Sequence, residues 1–278
     1  MKYNANRQQP ITMKVGPNGT GSIINYTYEY YDASGNNNNR IRSITDGVDP
    51  QYSVQYSYDQ WNRLTNATAP AYGRGYSYDA WGNIRSAAGG PNGVYTIAYE
   101  QNATTAPATN RIQSVTENGG TLPFTYDNAG NMIQGDGMTY AYDAANRMTS
   151  VNGGALGQYG YDGEGMRVKK VEGGATVWYV RSSALGNTAF EVASTGVQRA
   201  YVYHNGSLLA QQSLDGQFYW IHTNHLGTAR AMTDTNGTLA YKGQFDPHGQ
   251  PLQEWAATGA AVRQTHDRGA GSDASALS

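Results

Sequence analysis

The chain has 278 residues, of which 38% are hydrophobic and 14% charged, and its net charge is -2. Because its 19 lysines and arginines are scattered, it offers no basic field for a phosphate backbone, and we expect no nucleic-acid partner. The absence of cysteine excludes disulfides and thiolate metal sites. Tyrosine, with 23 residues against 4 phenylalanines, supplies most of the aromatic packing surface.

Residues 1–25 show no regular pattern, and we predict an irregular segment there. This stretch has no apolar run of the kind that a secretory signal needs. Nor does the rest of the chain contain about 18 consecutive apolar residues, the minimum for a membrane-spanning helix, so we expect no membrane span.

A tyrosine–aspartate unit recurs over residues 26–170, which predicts a repeat array. Most copies read tyrosine, any residue, tyrosine, aspartate, two further residues, then glycine or asparagine and soon an apolar residue. Side chains alternate along a strand, so both tyrosines fall on one face, and the aspartate predicts a tight turn. The aspartates are 27, 20, 48, 16 and 19 residues apart, and the longest interval predicts a degenerate copy near Tyr95 to Tyr99. The six predicted turn residues are Asp32, Asp59, Asp79, Asp127, Asp143 and Asp162.

The repetition favours a structural role for these residues. An aspartate after a strand accepts hydrogen bonds from backbone N–H groups two or three residues further on, so these acids are interpreted as turn formers and not as catalytic acids. The tyrosines are expected to stack on one another across neighbouring strands. A sugar-binding aromatic platform is the alternative.

A second motif lies in residues 171–255, which continue the strand-forming composition. It reads YWIHTNHLGTARAMTD over residues 219–234 and FDPHGQ over residues 245–250, with a glycine at 237. Residues 256–278 hold mostly small residues and few apolar ones, which predicts a disordered tail.

The two motifs together resemble the YD repeats and the repeat-associated core of rearrangement-hotspot (Rhs) proteins, a family related to toxin-complex shells and teneurins. The second motif is the more specific, because order and spacing are kept throughout it. Asn224, Ala229 and His248 depart from the family, which usually has aspartate, proline and an aromatic residue there. The positions that match the family motif are His222, His225, Leu226, Gly227, Thr228, Arg230, Asp246, Pro247 and Gly249.

The resemblance implies an all-β fold, in which YD hairpins form a curved or spiralling antiparallel sheet that is part of a shell. In the family such shells enclose a C-terminal toxin or form a rigid extracellular scaffold. The family's self-cleavage motif has no counterpart after Trp255, so we expect a truncated segment without catalytic residues. The expected function is a non-catalytic shell segment of an Rhs-type toxin or cell-surface protein. Its partner would be the remainder of that polypeptide, and its location extracellular or at the cell surface within a larger exported system.

Two other functions stay open at this point. One is a carbohydrate- or cell-surface-binding module that uses aromatic-lined strands, and the weaker one is a self-processing protease or a glycosidase. A metal site at His222 and His225, with Asp246 or His248 as a third ligand, would require a fold contact that the strand-and-turn pattern does not predict. A polar cluster that stabilises turns is favoured, and we expect neither a metal nor a cofactor.

Overall fold

The computed structural model describes residues 1–89, 93–101, 107–184, 186–194, 196–214 and 216–257. These residues form 25 β-strands and three short 3-10 turns, and the sheets are antiparallel, which confirms the predicted all-β class. Within this described part of the chain, no helix is both long and apolar enough to cross a membrane. The predicted disordered tail lies outside the described residues from position 258 onward.

The strands follow one another along two open sheets in sequence order. The eleven-stranded sheet consists of β1 (Lys2–Tyr3), β2 (Pro10–Val15), β3 (Ile24–Glu29), β4 (Ser43–Asp46), β5 (Val54–Tyr58), β6 (Leu64–Thr68), β7 (Gly73–Tyr78), β8 (Ile84–Ala88), β9 (Tyr95–Gln101), β10 (Pro107–Glu117) and β11 (Gly120–Pro123). The 14-stranded sheet consists of β12 (Thr125–Tyr126), β13 (Met132–Gly135), β14 (Met138–Tyr142), β15 (Met148–Val151), β16 (Gly157–Tyr161), β17 (Arg167–Glu172), β18 (Ala175–Ser182), β19 (Asn187–Ala193), β20 (Gly196–His204), β21 (Ser207–Ser213), β22 (Phe218–Thr223), β23 (Ala229–Thr233), β24 (Leu239–Phe245) and β25 (Pro251–Ala256). The 3-10 turns are Pro17–Gly19, Pro50–Tyr52 and Asn152–Gly154.

The N-terminal segment is more regular than the sequence predicts. Strands β1 and β2 form a hairpin in which Thr12 pairs with Lys2, and β2 pairs with β3 over four residues of each strand. The prediction of an irregular stretch over residues 1–25 is therefore wrong for Pro10–Val15. Apolar Met13 and Val15 alternate with polar neighbours, a short strand pattern that the search for tyrosine repeats did not detect.

The first compact unit comprises Met1–Ile97, Glu117–Gly119 and the strands from Trp220 onward. It combines hairpins from the start of the repeat array with the second motif. One buried cluster contains side chains from both, and its members are Met13, Ile24, Tyr26, Tyr28, Tyr30 and Ala231. Tyrosine thus supplies half of a core that in most domains would be aliphatic.

The second compact unit comprises Ala98–Thr116 and Gly120–Tyr219. Its buried side chains are distributed along the strands, and the buried apolar ones are Tyr99, Tyr140, Val151, Tyr201, Ala210 and Tyr219. The sequence boundary predicted between residues 170 and 171 falls inside this unit, where β17 continues without a break from Arg167 to Glu172.

Candidate functional site

The six repeat aspartates all begin turns of one construction, for which Asp143 is representative. The backbone N–H of Asp143 donates to the carbonyl of Arg147 at 2.9 Å, and Oδ1 accepts from the N–H groups of Ala145 and Arg147 at 2.9 and 3.0 Å. The N–H of Asn146 donates back to the Asp143 carbonyl, and Asn146 has φ of 61°. This is a turn followed by a left-handed residue, which asparagine and glycine tolerate best. The corresponding positive-φ residues of the other five turns are Gly35, Asn62, Gly82, Gly130 and Gly165.

Electrostatics agree with this structural role for the half-buried turn carboxylates. The backbone N–H of Arg147, above all, lowers the pKa of Asp143, and the side-chain amide of Asn131 chiefly lowers the pKa of Asp127. A lowered pKa keeps these groups ionised as hydrogen-bond acceptors, whereas a general acid needs a raised one.

The second motif contains the same turn three more times, which sequence reasoning missed. Oδ1 of Asp246 accepts from the N–H groups of His248 and Gln250, both at 2.9 Å. Asn224 uses its side-chain oxygen in the same way, so its departure from the family's aspartate leaves the turn intact. The third such turn begins at Asp234. A glycine follows three residues after each of these residues, at 227, 237 and 249, with φ of 81°, 80° and 84°. This glycine was the signal in the sequence from which the three turns could have been predicted.

Successive hairpins of the array are joined by a recurring contact, in which an arginine of one hairpin stacks on a tyrosine of the next. We call this contact the arginine–tyrosine lock. The guanidinium of Arg63 lies over the ring of Tyr78 at 4.7 Å, and Nη1 donates to the carbonyl of Asp79 at 2.8 Å. The Tyr78 hydroxyl donates in return to the carbonyl of Leu64 at 2.6 Å. Arg147 and Tyr161 repeat this geometry, with a ring distance of 5.1 Å. The second tyrosine of the unit therefore contacts an arginine of the preceding hairpin.

Two further arginines stack on the second tyrosine of a repeat unit. Arg40 stacks on Tyr58 and Arg111 on Tyr126, and each arginine follows an asparagine and precedes an isoleucine. The degenerate copy predicted near Tyr95 to Tyr99 lies in β9, and Arg111 lies in the next strand, β10, where its guanidinium stacks on Tyr126. The Asn-Arg-apolar triplet was visible in the sequence, but its arginine was not assigned a role.

Within the first unit, the second motif packs against tyrosines of the early hairpins. The His225 ring meets the Tyr28 ring edge-on, with 5.1 Å between centroids and an 80° angle, and the His248 ring meets the Tyr76 ring at 4.7 Å and 73°. Burial, and secondarily the charge of Arg230, lowers the pKa of His225. These histidines are packing groups for tyrosine faces.

A buried ion pair lies close to this packing. Nε of Arg74 donates to Oδ2 of Asp246 at 3.0 Å, and the two side chains are only 2% and 4% exposed. Arg74 also donates to the Gly89 carbonyl and to Oε1 of Gln250. Asp246 therefore uses one oxygen for its own turn and the other for a strand 172 residues earlier in the chain.

A second polar network joins β24 to the β4 region. Nε2 of Gln244 donates to Oδ2 of Asp46 at 3.0 Å, and Asp46 is 1% exposed. Nζ of Lys242 pairs with Oδ2 of Asp49 at 2.5 Å. Every carboxylate named at this junction thus has a partner within the chain.

The remaining positions of the family motif lie in the turns or between the strands. Nε2 of His222 hydrogen-bonds Oγ1 of Thr233 at 3.0 Å, and burial lowers the pKa of His222. The Thr228 carbonyl closes the Asn224 turn, Leu226 lies exposed at its tip, and Pro247 is the second residue of the Asp246 turn. No group of three or more metal-ligating side chains occurs among the described residues, so the proposed set of His222, His225, Asp246 and His248 is not assembled.

Comparison with known proteins places this geometry in context. The family model described as Teneurin YD-shell matches residues 24–257. The chain is 30% identical over 135 residues to the tRNA3(Ser)-specific nuclease WapA of Bacillus spizizenii, and 28% identical over 134 residues to the tRNA nuclease WapA of Bacillus subtilis. Each match covers 46% of this chain but only 6% of the relative's length.

Solved structures show the same fold. The crystal structure of TcdB2-TccC3 aligns with a TM-score of 0.61 at 18% identity, over 92% of this chain and 15% of that one. The Photorhabdus luminescens Tc holotoxin pore aligns with a TM-score of 0.55 at 15% identity, over 92% and 16%. With the family match extending over most of its length, the chain belongs to the Teneurin YD-shell family.

Proposed function

We propose that this chain is a non-catalytic structural segment of the shell of an Rhs-type toxin or a cell-surface repeat protein. One observation carries the proposal: the acid and the imidazoles of its most specific motif are engaged in packing. Asp246 is paired with buried Arg74, while His225 and His248 pack edge-on against tyrosine rings. A carboxylate that is paired with an arginine, and imidazoles that pack against aromatic rings, are not arranged to activate a substrate or water.

The partner follows from the lengths involved. Because the chain spans 6% of its curated relatives and 15–16% of the aligned toxin chains, the partner we propose is the remainder of a longer shell polypeptide. The location that goes with it is outside the cell, as part of an exported system.

The test is a search for activity in the purified chain. It should be incubated with a tRNA pool, because two relatives carry tRNA nuclease names, and its own intact mass should be followed over days. We expect no cleavage of RNA or of the chain. Cleavage that Asp246→Asn or His222→Gln abolishes, while Lys170→Met leaves it unchanged, would overturn the proposal.

A surface-binding function is the second candidate, and the exposed tryptophans favour it. Trp61 and Trp81 are 66% and 73% exposed, and each lies two residues after the aspartate of its turn. Because β5 to β8 form a meander, the two turns project from the same end of neighbouring hairpins. Tyr78, in contrast, is committed to the arginine–tyrosine lock. A glycan array with Trp61→Ala and Trp81→Ala tests this candidate, and signals equal to those of the unchanged chain would exclude it.

A further inference from the structure

Arg230 on β23 is a cation without an anionic partner in the described chain. No hydrogen bond or ion pair with a described residue satisfies its guanidinium, and Nε is buried without an acceptor. The guanidinium lies over the Phe245 ring at 5.1 Å, which holds it in place but supplies no charge. Arg230 is only partly buried, so a ligand can reach it.

Several buried tyrosines lie within electrostatic reach of this guanidinium. Burial raises the pKa of Tyr26 and of Tyr72 to about 12, and the positive charge of Arg230 opposes the rise in both. Burial likewise raises the pKa of Tyr28 and Tyr56, again against the charge of Arg230. The guanidinium is therefore within electrostatic reach of hydroxyls from β3, β5 and the loop before β7.

Two further buried polar atoms, on residues within electrostatic reach of Arg230, have no hydrogen-bond partner among the described residues. Tyr28 is 4% exposed and its hydroxyl makes no hydrogen bond. The His225 ring contacts Tyr28, and its Nδ1 is also buried without a hydrogen bond. An unpaired buried polar atom is unfavourable, and native proteins leave few of them. Tyr28 links the three groups, because its ring contacts His225 and it shares a buried cluster with Ala231, the chain neighbour of Arg230. An arginine, a tyrosine hydroxyl and an imidazole nitrogen, all able to donate, are thus unpaired in this part of the unit.

We propose that Arg230, Tyr28 and His225 form a binding site for a carboxylate. A carboxylate is planar, carries the missing negative charge and accepts paired hydrogen bonds from a guanidinium, with oxygen lone pairs left for the hydroxyl and the imidazole. The buried carboxylates of this unit cannot fill the site, because Asp246 and Asp46 are held by Arg74 and Gln244. The ligand must come from outside the described residues.

Two sources supply the same chemistry. One is a small free carboxylate, and the other is an acidic side chain of the polypeptide that shares the shell. The second source rests on the proposed shell function, whereas binding of a free carboxylate does not. Failure of the proposed carboxylate site can therefore be distinguished from failure of the proposed shell function.

The experiment measures the melting temperature of the whole chain in sodium acetate against sodium chloride at equal ionic strength. A ligand that binds the folded state raises the melting temperature with concentration. We expect acetate to do so in the unchanged chain and in Arg85→Gln, which removes an exposed arginine on β8, but not in Arg230→Gln. Tyr28→Phe should weaken the apparent acetate affinity about tenfold, since a hydrogen bond to a charged group is lost.

Titration followed by the ring resonances of Tyr28 and His225 provides a readout independent of stability. Arg230→Lys, which keeps the charge but loses the paired geometry, should bind more weakly than the unchanged chain and serves if Arg230→Gln does not fold. A glutamate-rich peptide compared with its glutamine counterpart separates the sources: binding of the acidic peptide assigns a side chain, and binding of acetate alone assigns a free carboxylate. The proposal is refuted if acetate acts no differently from chloride, or if Arg230→Gln or Tyr28→Phe responds as the unchanged chain does.

Discussion

Removing the arginine of the Arg74–Asp246 pair is the substitution to which we expect the first unit to be most sensitive. In Arg74→Met the Asp246 carboxylate stays buried, since its surroundings leave it 4% exposed, and Oδ2 loses its cation. Breaking one side of a buried pair costs about 3–5 kcal/mol. Arg74 also donates to the Gly89 carbonyl and to Gln250, so we expect a loss near the upper end of that range.

Asp246→Asn and the double substitution test the origin of this loss. Asparagine keeps the side-chain oxygen that accepts from the N–H groups of His248 and Gln250, so the turn is preserved while the charge is removed. Because the double variant leaves no unpaired charge, its loss should be smaller than the sum of the two single losses by more than about 1 kcal/mol.

The assay is urea unfolding followed by tryptophan fluorescence and circular dichroism. The control is Lys170→Met, which breaks the Lys170–Glu172 pair, where the glutamate is 35% exposed, and should cost no more than about 1 kcal/mol. A loss below about 1 kcal/mol for Arg74→Met, or strictly additive losses in the double variant, would refute the view that this pair holds the second motif in place.

Three further predictions concern the turns, the locks and pH. Gly165→Ala should destabilise the chain by about 1–2 kcal/mol, because φ is 82° at this residue. Gly163→Ala in the same turn, where φ is not positive and the space is open, should be near neutral. Equal melting temperatures of the two variants would contradict the turn geometry. Tyr78→Phe should lower the free energy of unfolding by about 0.5–1.5 kcal/mol, because the hydrogen bond to the Leu64 carbonyl is lost. Tyr31→Phe, at an exposed ring, should change it little, and equal values for the two variants in chemical denaturation would contradict the prediction. Stability should fall as pH drops below about 6.5, because the folded-state pKa of His222 and His225 lies below the unfolded value and the unfolded chain takes up more protons. A further fall is expected below about pH 4, where Asp127 and Asp143 lose their charge. His225→Phe, which keeps the ring contact, should flatten the melting-temperature profile between pH 5 and 7 if this assignment holds, and an unchanged profile would count against it.

Local chemistry made the hairpins predictable from sequence. The bonds of Asp143 reach residues no more than four positions away, so the aspartate and the later glycine or asparagine define the turn without the rest of the fold. Asn224, Asp234 and Asp246 are each followed by a glycine three residues later, which is the same local signal. It was not used to predict turns, because these residues had been assigned to the family motif. The stacking partner of Tyr78 was predicted as another tyrosine and is Arg63, because the sequence shows periodicity but not which neighbour fills the space over a ring.

The packing of the second motif could not be predicted in this way. The Asp246 contact spans 172 residues, and the Gln244 contact with Asp46 spans 198. No periodicity shows which distant strand a side chain meets, so the sequence left open whether His222, His225, Asp246 and His248 meet at a metal ion, although a polar cluster that stabilises turns was favoured. The tyrosine partners of His225 and His248 and the burial of Arg74 are visible only in the structure, because Arg74 in the sequence is one ordinary arginine between two glycines.

Proton NOEs between aromatic rings test most directly whether the second motif is a packing element. Selective labelling of histidine and tyrosine in the whole chain should give cross-peaks between the rings of His225 and Tyr28 and between those of His248 and Tyr76, whose centroids are 5.1 and 4.7 Å apart. Assigned spectra without either cross-peak, and with both histidines freely accessible to solvent, would contradict a motif that holds the shell together rather than carrying out chemistry.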